Sequence, residues 1–384
     1  MLSSRYLDSM LSSRPLDTDH GISRCSRVWS LLCSGRLAIG RGCDAQDPVR
    51  QCCRALVLWP VLATCLPATS LRATQDSVYH GTHAAMGTRV EIFLQAPSAA
   101  QAAELFAAAF AEIDYVDATL SGYKANSEVS RLNATAARVA VTVDPELFGL
   151  FKRAVEYGRI TNGAFDITVG PLAKAWGFYG GVGQRPSRRA LARARARSGW
   201  GILELDSVGR TVRFRREGAE LDFGAIGKGW ALDRAASVLR RLGIEAALLG
   251  AGRSSYYAIG APPGRRGWTV HVRDPADTTS VLATVLLQDG ALATSGATQR
   301  FFESDGHRYS HILDPRTGSP VEGMLQVTVT ASTATDSDAL STALFVLGPH
   351  EVAGLLDAPQ RGALFVRDAD HGPRIVAVNW LEGR

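Results

Sequence analysis

In the C-terminal part of the sequence, ATDSDALSTALFVLG places Asp338, Ser341 and Thr342 close together. Asp338 and Thr342 are four residues apart, so on a helix they share a face, with Ser341 beside them. Hard oxygen donors in that arrangement suit Mg²⁺, which usually takes one or two carboxylates and fills its shell with water and phosphate oxygens. A plainer arrangement uses the same spacing: a first-turn carboxylate favoured by the helix dipole, next to a surface hydroxyl. Upstream, SHILDPRTGSPV offers His311, whose intrinsic pKa suits a general base, and Asp314, which competes for that role. The alternative for His311 is a hydrogen-bonded turn histidine. A third group is the glycine-rich turn Gly224 to Gly229, where a helix N-terminus would present N–H groups to a phosphate and Lys228 would reinforce them. Lysine is scarce here, four against 38 arginines, so its place inside that turn is suggestive.

These residues need elements to hold them. Residues 309–313 alternate like a strand and deliver His311 to a sheet edge, and Asp314 to Gly318 supply a tight turn. Residues 326–331 alternate again. Thr333 or Thr335 then caps a helix whose apolar stripe is Leu340, Ala343, Leu344 and Leu347, stopped by Gly348 and Pro349. Strands are also predicted at 88–94, 256–259, 268–272 and 281–287, and 211–214 is predicted to pair with 219–223. Asp305-Gly306 turns a hairpin. Helical spacing marks 99–116, 145–161 and 187–197, the last with arginines at 188, 189, 193, 195 and 197 that read as a solvated face. Asn162 and Gly163 read as a turn before a strand.

The formal charge of +5 invites a nucleic-acid partner. However, residues 1–75 hold nine arginines against five aspartates, which leaves the body near neutral and implies no polyanion. All six cysteines, from Cys25 to Cys65, lie in that same stretch, so the body has no disulfide, thiolate metal site or cysteine nucleophile. Residues 1–75 are expected to be a leader, and 76–384 the folded domain. Within the leader, Ala55 to Leu66 is a short apolar run after Arg50 and Arg54, the pattern of an export signal and too short for a membrane span. Cys65 sits in a loose lipobox, a weaker alternative that would anchor the chain to a membrane. The expectation is an exported, periplasmic protein.

The paired stretches SHILDPRTGSPV and ATDSDALSTALFVLG resemble the signatures of the ApbE family, the FAD:protein FMN transferases. Three further stretches resemble that family in its order: the segment around SEVSRLN, NGAFDITVGP, and LDFGAIGKGWALD. The resemblance implies an α+β body of mixed, largely antiparallel sheets with flanking helices, T-fold-like. It implies a Mg²⁺-dependent enzyme that moves FMN from FAD to a Ser or Thr of an acceptor protein, an exported or membrane-bound redox protein, and releases AMP. It puts metal contacts at Asp338, Thr342, Ser341 and the carbonyl of Ala225. It puts flavin or FAD contacts at Met86, Tyr123, Ala164, Phe165, Asp166, Asp222, Lys228 and Ile312, and it makes His311 a functional residue. Without the resemblance, Met86 reads as core filling. One departure stands at Leu249 to Gly252, where many relatives have an Asn and two Gly.

Gly250-Ala251-Gly252-Arg253-Ser254-Ser255 lacks the third glycine and the following helix of a dinucleotide fingerprint, so a Rossmann site is excluded. Ser295 to Thr298 resembles the acceptor sequence that the family modifies. It also aligns with the family's own Ser-Gly strand, which makes modification at Thr298 the lesser expectation. Two other functions use the same residues: a Mg²⁺-dependent FAD pyrophosphatase, with water as acceptor, and a periplasmic FAD-binding protein without turnover.

Overall fold

The main sheet of the computed structural model is a meander whose eight strands lie side by side in chain order. They are β1 (Ser77–Ala85), β2 (Thr88–Ala96), β3 (Ala247–Ala251), β4 (Ser255–Ile259), β5 (Gly290–Gly296), β6 (Met324–Ala331), β7 (Gly362–Arg367) and β8 (Arg374–Val378). Each neighbouring pair is antiparallel. The structure describes residues 77–179, 183–298, 301–369 and 372–380. The sequence-predicted leader, with its apolar run and Cys65, lies outside the described residues. Thr74–Arg384 form one compact unit.

Helices fill the connections: α1 (Ala99–Leu120), α2 (Glu128–Thr135), α3 (Pro145–Ile160), α4 (Gly170–Ala175), α5 (Arg188–Arg195), α6 (Gly227–Arg241) and α7 (Ala334–Leu347). Helices α1, α6 and α7 pack side by side over one face of the main sheet, where Ile92, Leu94, Leu249, Val327, Val329 and Phe365 are fully buried. Full burial of each such side chain contributes roughly 1.5–3 kcal/mol. On the other side, a hairpin of residues 268–273 and 281–287 is tied to the sheet by the Trp268 Nε1 bond to the Ile259 carbonyl and the Gln326 Nε2 bond to the Arg273 carbonyl. A smaller core holds Leu172 and Ala173 of α4, Trp176 at its C-cap, Ala194 of α5, and Tyr309 and Leu313. None of the helices among the described residues is long and apolar enough to cross a membrane.

Several sequence expectations are corrected. Residues 309–313 are not one strand: His307–Ser310 pairs with Phe301–Ser304 across the Asp305-Gly306 turn, and His311 lies in a bend before Leu313–Asp314. The Ser310 hydroxyl accepts the Ile312 N–H at 3.2 Å, a local bond that competes with a ladder. Thr211–Phe214 pairs with Leu203–Asp206 and Val141–Thr142 rather than with 219–223. In 219–223 the Leu221 N–H goes to Asn133 Oδ1 and the Asp222 N–H to the Ile167 carbonyl, so no ladder forms. The turn at Asn162-Gly163, with φ of +48° and +79°, leads into α4 and not into a strand. Strands β1, β3, β7 and β8 escaped the sequence reading: β1 is mostly half-exposed and alternates weakly, and β3 is buried throughout and does not alternate.

Helix α7 differs most in character. Thr333 caps it, its hydroxyl accepting the Asp336 N–H. The carboxylate and hydroxyl face beside the predicted apolar stripe is not solvated, because Asp336, Ser337, Asp338 and Ser341 are buried as well. Only Thr342 on that face is partly open.

Candidate active site

The site is built where the N-terminal turns of α6 and α7 cross. Gly229 makes the crossing possible: a Cβ there would stand 2.1 Å from the Ala334 carbonyl oxygen, so only glycine fits. Its N–H donates to Asp338 Oδ2 at 2.6 Å. Gly229 is the third residue of α6, so that N–H is one of the free first-turn donors of the helix, and Asp338 satisfies it. One turn further along α6, Asp233 accepts the N–H groups of Ala334 and Thr335, each at 2.8 Å, and the Thr335 hydroxyl at 2.5 Å. A carboxylate of α6 thus satisfies the first free amides of α7.

Two strand ends complete the crossing. The Ser255 hydroxyl, at the start of β4, donates to Asp338 Oδ1 at 2.6 Å, and Lys228 Nζ donates to the Ser254 hydroxyl at 2.9 Å. Ser295 of β5 lies 2.9 Å from the Ser341 hydroxyl and 3.1 Å from that of Thr342. Burial pushes the Asp338 carboxyl up from the usual carboxylate range, opposed by the Lys228 charge, the Ser255 hydroxyl and the Gly229 N–H. Behind the site, Asp336 accepts the Tyr157 hydroxyl at 2.5 Å and Arg153 Nε at 2.9 Å, which fastens α7 to α3.

The donor chemistry fits a hard divalent cation. Among the described residues no three His, Cys, Asp or Glu side chains gather into a metal cluster. A buried carboxylate and two hydroxyls on one helix face instead offer oxygen donors of the kind Mg²⁺ shares with phosphates and water. Asp338, Ser341 and Thr342 share one face of α7 beside Ser255 and Ser295, as sequence spacing predicts, and Ala225 is the residue before the α6 N-cap.

Next to this crossing lie several of the residues expected to meet flavin. Met86 holds a left-handed conformation, φ +54°, in the two-residue turn between β1 and β2, a position where a bulky residue is an exception. Its Cε stands 3.5 Å from where a Cβ on Gly227 would be. Tyr123 is 68% exposed and stacks on Tyr179 with ring centroids 5.0 Å apart. The Tyr179 hydroxyl is pushed up by burial, by the charge of Asp222 and by its hydrogen bond to that carboxylate. Asp222 Oδ1 also accepts the Gly224 N–H at 2.7 Å, which ties this aromatic pair to the glycine-rich turn.

The remaining predicted residues lie in the segments 164–166 and 311–314. Ala164, Phe165 and Asp166 are buried, and Asp166 Oδ1 accepts the Thr168 N–H and hydroxyl, both at 2.7 Å. Burial raises the Asp166 carboxyl to about 6, against these bonds and those from the backbone of Trp200 and Gly199. Ile312 is buried, with its carbonyl accepting the Val321 N–H. Asp314 closes its own turn and holds Arg316 through both carboxylate oxygens at 3.0 Å. The turn approaches the Asn162-Gly163 corner, where Arg316 Cγ lies 3.6 Å from a Cβ position on Gly163.

Sequence reasoning passed over Ser254, Ser255, Ser295, Asp233 and Tyr179. The two serines lie in the stretch set aside as a failed dinucleotide fingerprint. Ser295 drew notice only as part of an acceptor-like sequence, whereas its hydroxyl faces α7. Asp233 carried a signal that could have been used: it ends the LDFGAIGKGWALD stretch, one turn after Gly229.

The ApbE family model matches residues 86–365, a span that includes the turn at Met86, both crossing helices and the His311 segment. The chain belongs to the ApbE family. Among curated relatives, the FAD:protein FMN transferase of Treponema pallidum is 35% identical over 297 residues, covering 72% of this chain and 81% of that protein. The Klebsiella pneumoniae protein of the same name is 32% identical over 302 residues, covering 76% and 90%. Of solved structures, an ApbE protein from Thermotoga maritima superposes with a TM-score of 0.72 at 33% identity, over 79% of this chain and 97% of that one. The apo flavinyl transferase ApbE of Pseudomonas stutzeri gives 0.70 at 31% identity, over 79% and 95%. The mixed helix and antiparallel-sheet architecture is thus the ApbE fold.

Proposed function

We propose that this chain transfers FMN from FAD to a Ser or Thr hydroxyl of an acceptor protein and releases AMP. As a member of the ApbE family, with relatives named FAD:protein FMN transferase, it is a transferase enzyme. The observation that best supports the finer reading is the α6–α7 crossing, where a buried carboxylate and two hydroxyls meet the start of a helix bearing Lys228.

In this reading Asp338, Ser341, Thr342 and the Ala225 carbonyl would hold Mg²⁺. When bound, the ion neutralises charge developing on the pyrophosphate. The α6 N-terminus and Lys228 orient the phosphates, with Ser254 fixing the ammonium. Met86, Tyr123 and Asp222 bind the flavin half, and Ala164, Phe165, Asp166 and Ile312 shape the wall behind it. The acceptor hydroxyl oxygen bonds to the FMN-side phosphorus as the bond from that phosphorus to the bridging oxygen breaks. AMP leaves with the bridging oxygen and its electron pair. His311 takes the hydroxyl proton. Asp314 is the weaker candidate for that role, since Arg316 already occupies both of its oxygens.

An export signal in residues 55–66 would place the reaction, and its acceptor, outside the cytoplasm. The test is to incubate the full chain with FAD, a peptide containing Ser-Gly-Ala-Thr, and Mg²⁺ or a chelator. FMN on the peptide and AMP in equal amounts, both lost on chelation, support the reading. AMP with free FMN and unmodified peptide would point to hydrolysis, and bound but intact FAD to a binding protein.

A further inference from the structure

Helix α5 and its flanks hold six arginines, at 185, 188, 189, 193, 195 and 197, with no carboxylate between them in sequence. All six are exposed, and among the described residues none forms an ion pair within 4.0 Å. From Gly183 to Gly218 there are ten arginines against three carboxylates, and one of those, Glu204, is taken by Arg215. In a body whose overall charge is near neutral, this is a concentrated positive surface.

A solvated arginine face would need no special placement, yet this one is fixed to the turn of residues 314–318 that follows His311. Ala194 shares the smaller core with Trp176, Tyr309 and Leu313, and Leu191 packs against it. Arg195 donates to the Arg316 carbonyl at 2.6 Å, and its stem fills the space beside Gly318. Trp176 Nε1 donates to the Gly318 carbonyl at 2.8 Å. The helix is thereby tied to the turn of residues 314–318, three residues on from the proposed base His311.

We infer that α5 is the docking surface for the acceptor protein, and that it receives an acidic segment adjoining the modified Ser or Thr. This rests on the proposed transfer reaction and specifies its partner. Guanidinium groups match carboxylates through paired N–H donors, and a row of unpaired ones lowers its own repulsion by binding them. A membrane surface fits less well. A helix that lies in a bilayer turns apolar residues outward, whereas Leu191 and Ala194 of α5 are turned inward.

The test uses two labelled peptides containing Ser-Gly-Ala-Thr, one flanked by aspartates and glutamates, the other by lysines. Each is titrated by fluorescence anisotropy against the full chain and against R188E/R189E/R193E, at low and high salt. The acidic peptide is expected to bind roughly tenfold more tightly than the basic one at low salt, the scale of a few exposed ion pairs. High salt and the triple substitution should each erase that preference, while AMP release without peptide and the melting temperature stay unchanged. Equal binding of the two peptides, or a preference that survives the triple substitution, would overturn the inference. So would retention on anionic phospholipid vesicles that is lost in the triple variant without any preference between peptides. Failure of the transfer reading looks different: the acidic peptide binds as expected, yet neither peptide gains FMN.

Discussion

Asp314 and His311 lie three residues apart in the same segment. The Asp314 carboxylate is spent on Arg316 and on its own turn, so its replacement should act mainly through turn geometry. His311→Gln is expected to lower kcat by roughly 10²–10⁴ with little change in KM for FAD, the range for loss of a general base. Asp314→Asn should cost far less, and steady-state kinetics of both variants would show it; an Asp314→Asn loss as large as that of His311→Gln would reverse the assignment. Asp166 gives a second prediction at this scale. Its carboxyl, raised from 3.8 to about 6 by burial, binds its proton more tightly in the folded chain than in the unfolded one. The stability it contributes is full below pH 4 and is lost as pH rises through about 6. Stability should fall by roughly 1 kcal/mol per pH unit in that interval. Urea unfolding between pH 4 and 7 should show this slope in the parent chain and a flatter one in Asp166→Asn.

At the scale of elements, the α6–α7 crossing links sequence to chemistry. Gly229 allows two helix N-termini to touch, Asp233 caps the second from the first, and the freed Gly229 N–H meets the buried Asp338. Gly229→Ala puts a methyl group onto a backbone carbonyl and must separate the helices, at a cost of about 1–3 kcal/mol for an overpacked site. Its transfer activity should fall further than its stability alone explains. A variant with normal activity and normal unfolding midpoint would show that the crossing tolerates displacement. Asp338, Ser341 and Thr342 were legible as a group because helical spacing alone places them together. The partners from β4, β5 and α6 were not, since Ser254, Ser255, Ser295 and Asp233 meet α7 only through sheet order, which local periodicity does not encode. The misplaced strand at 219–223 has a similar cause: its N–H groups are claimed by Asn133 and Ile167, both distant in sequence.

For the whole molecule, the antiparallel meander was foreseeable only as a class. Alternation marked only three of its strands, β2, β4 and β6, and nothing in the sequence states that eight would follow one another in order while helices filled the gaps on one face. The family resemblance covered what periodicity did not, and the family match spans the same body, residues 86–365. Removal of residues 1–75 is accordingly expected to leave FMN transfer and the unfolding midpoint essentially unchanged, as activity assays and thermal melts of the truncated chain would show. A loss of folding on truncation would mean that the leader packs on the body. The most direct measurement is mass spectrometry of the Ser-Gly-Ala-Thr peptide after incubation with FAD, Mg²⁺ and either the parent chain or Asp338→Ala, each first checked for folding. The peptide should gain the mass of FMN less one water with the parent chain, and remain unmodified with the folded variant. Equal modification by the two proteins would contradict a reaction centred on Asp338 and the helix crossing.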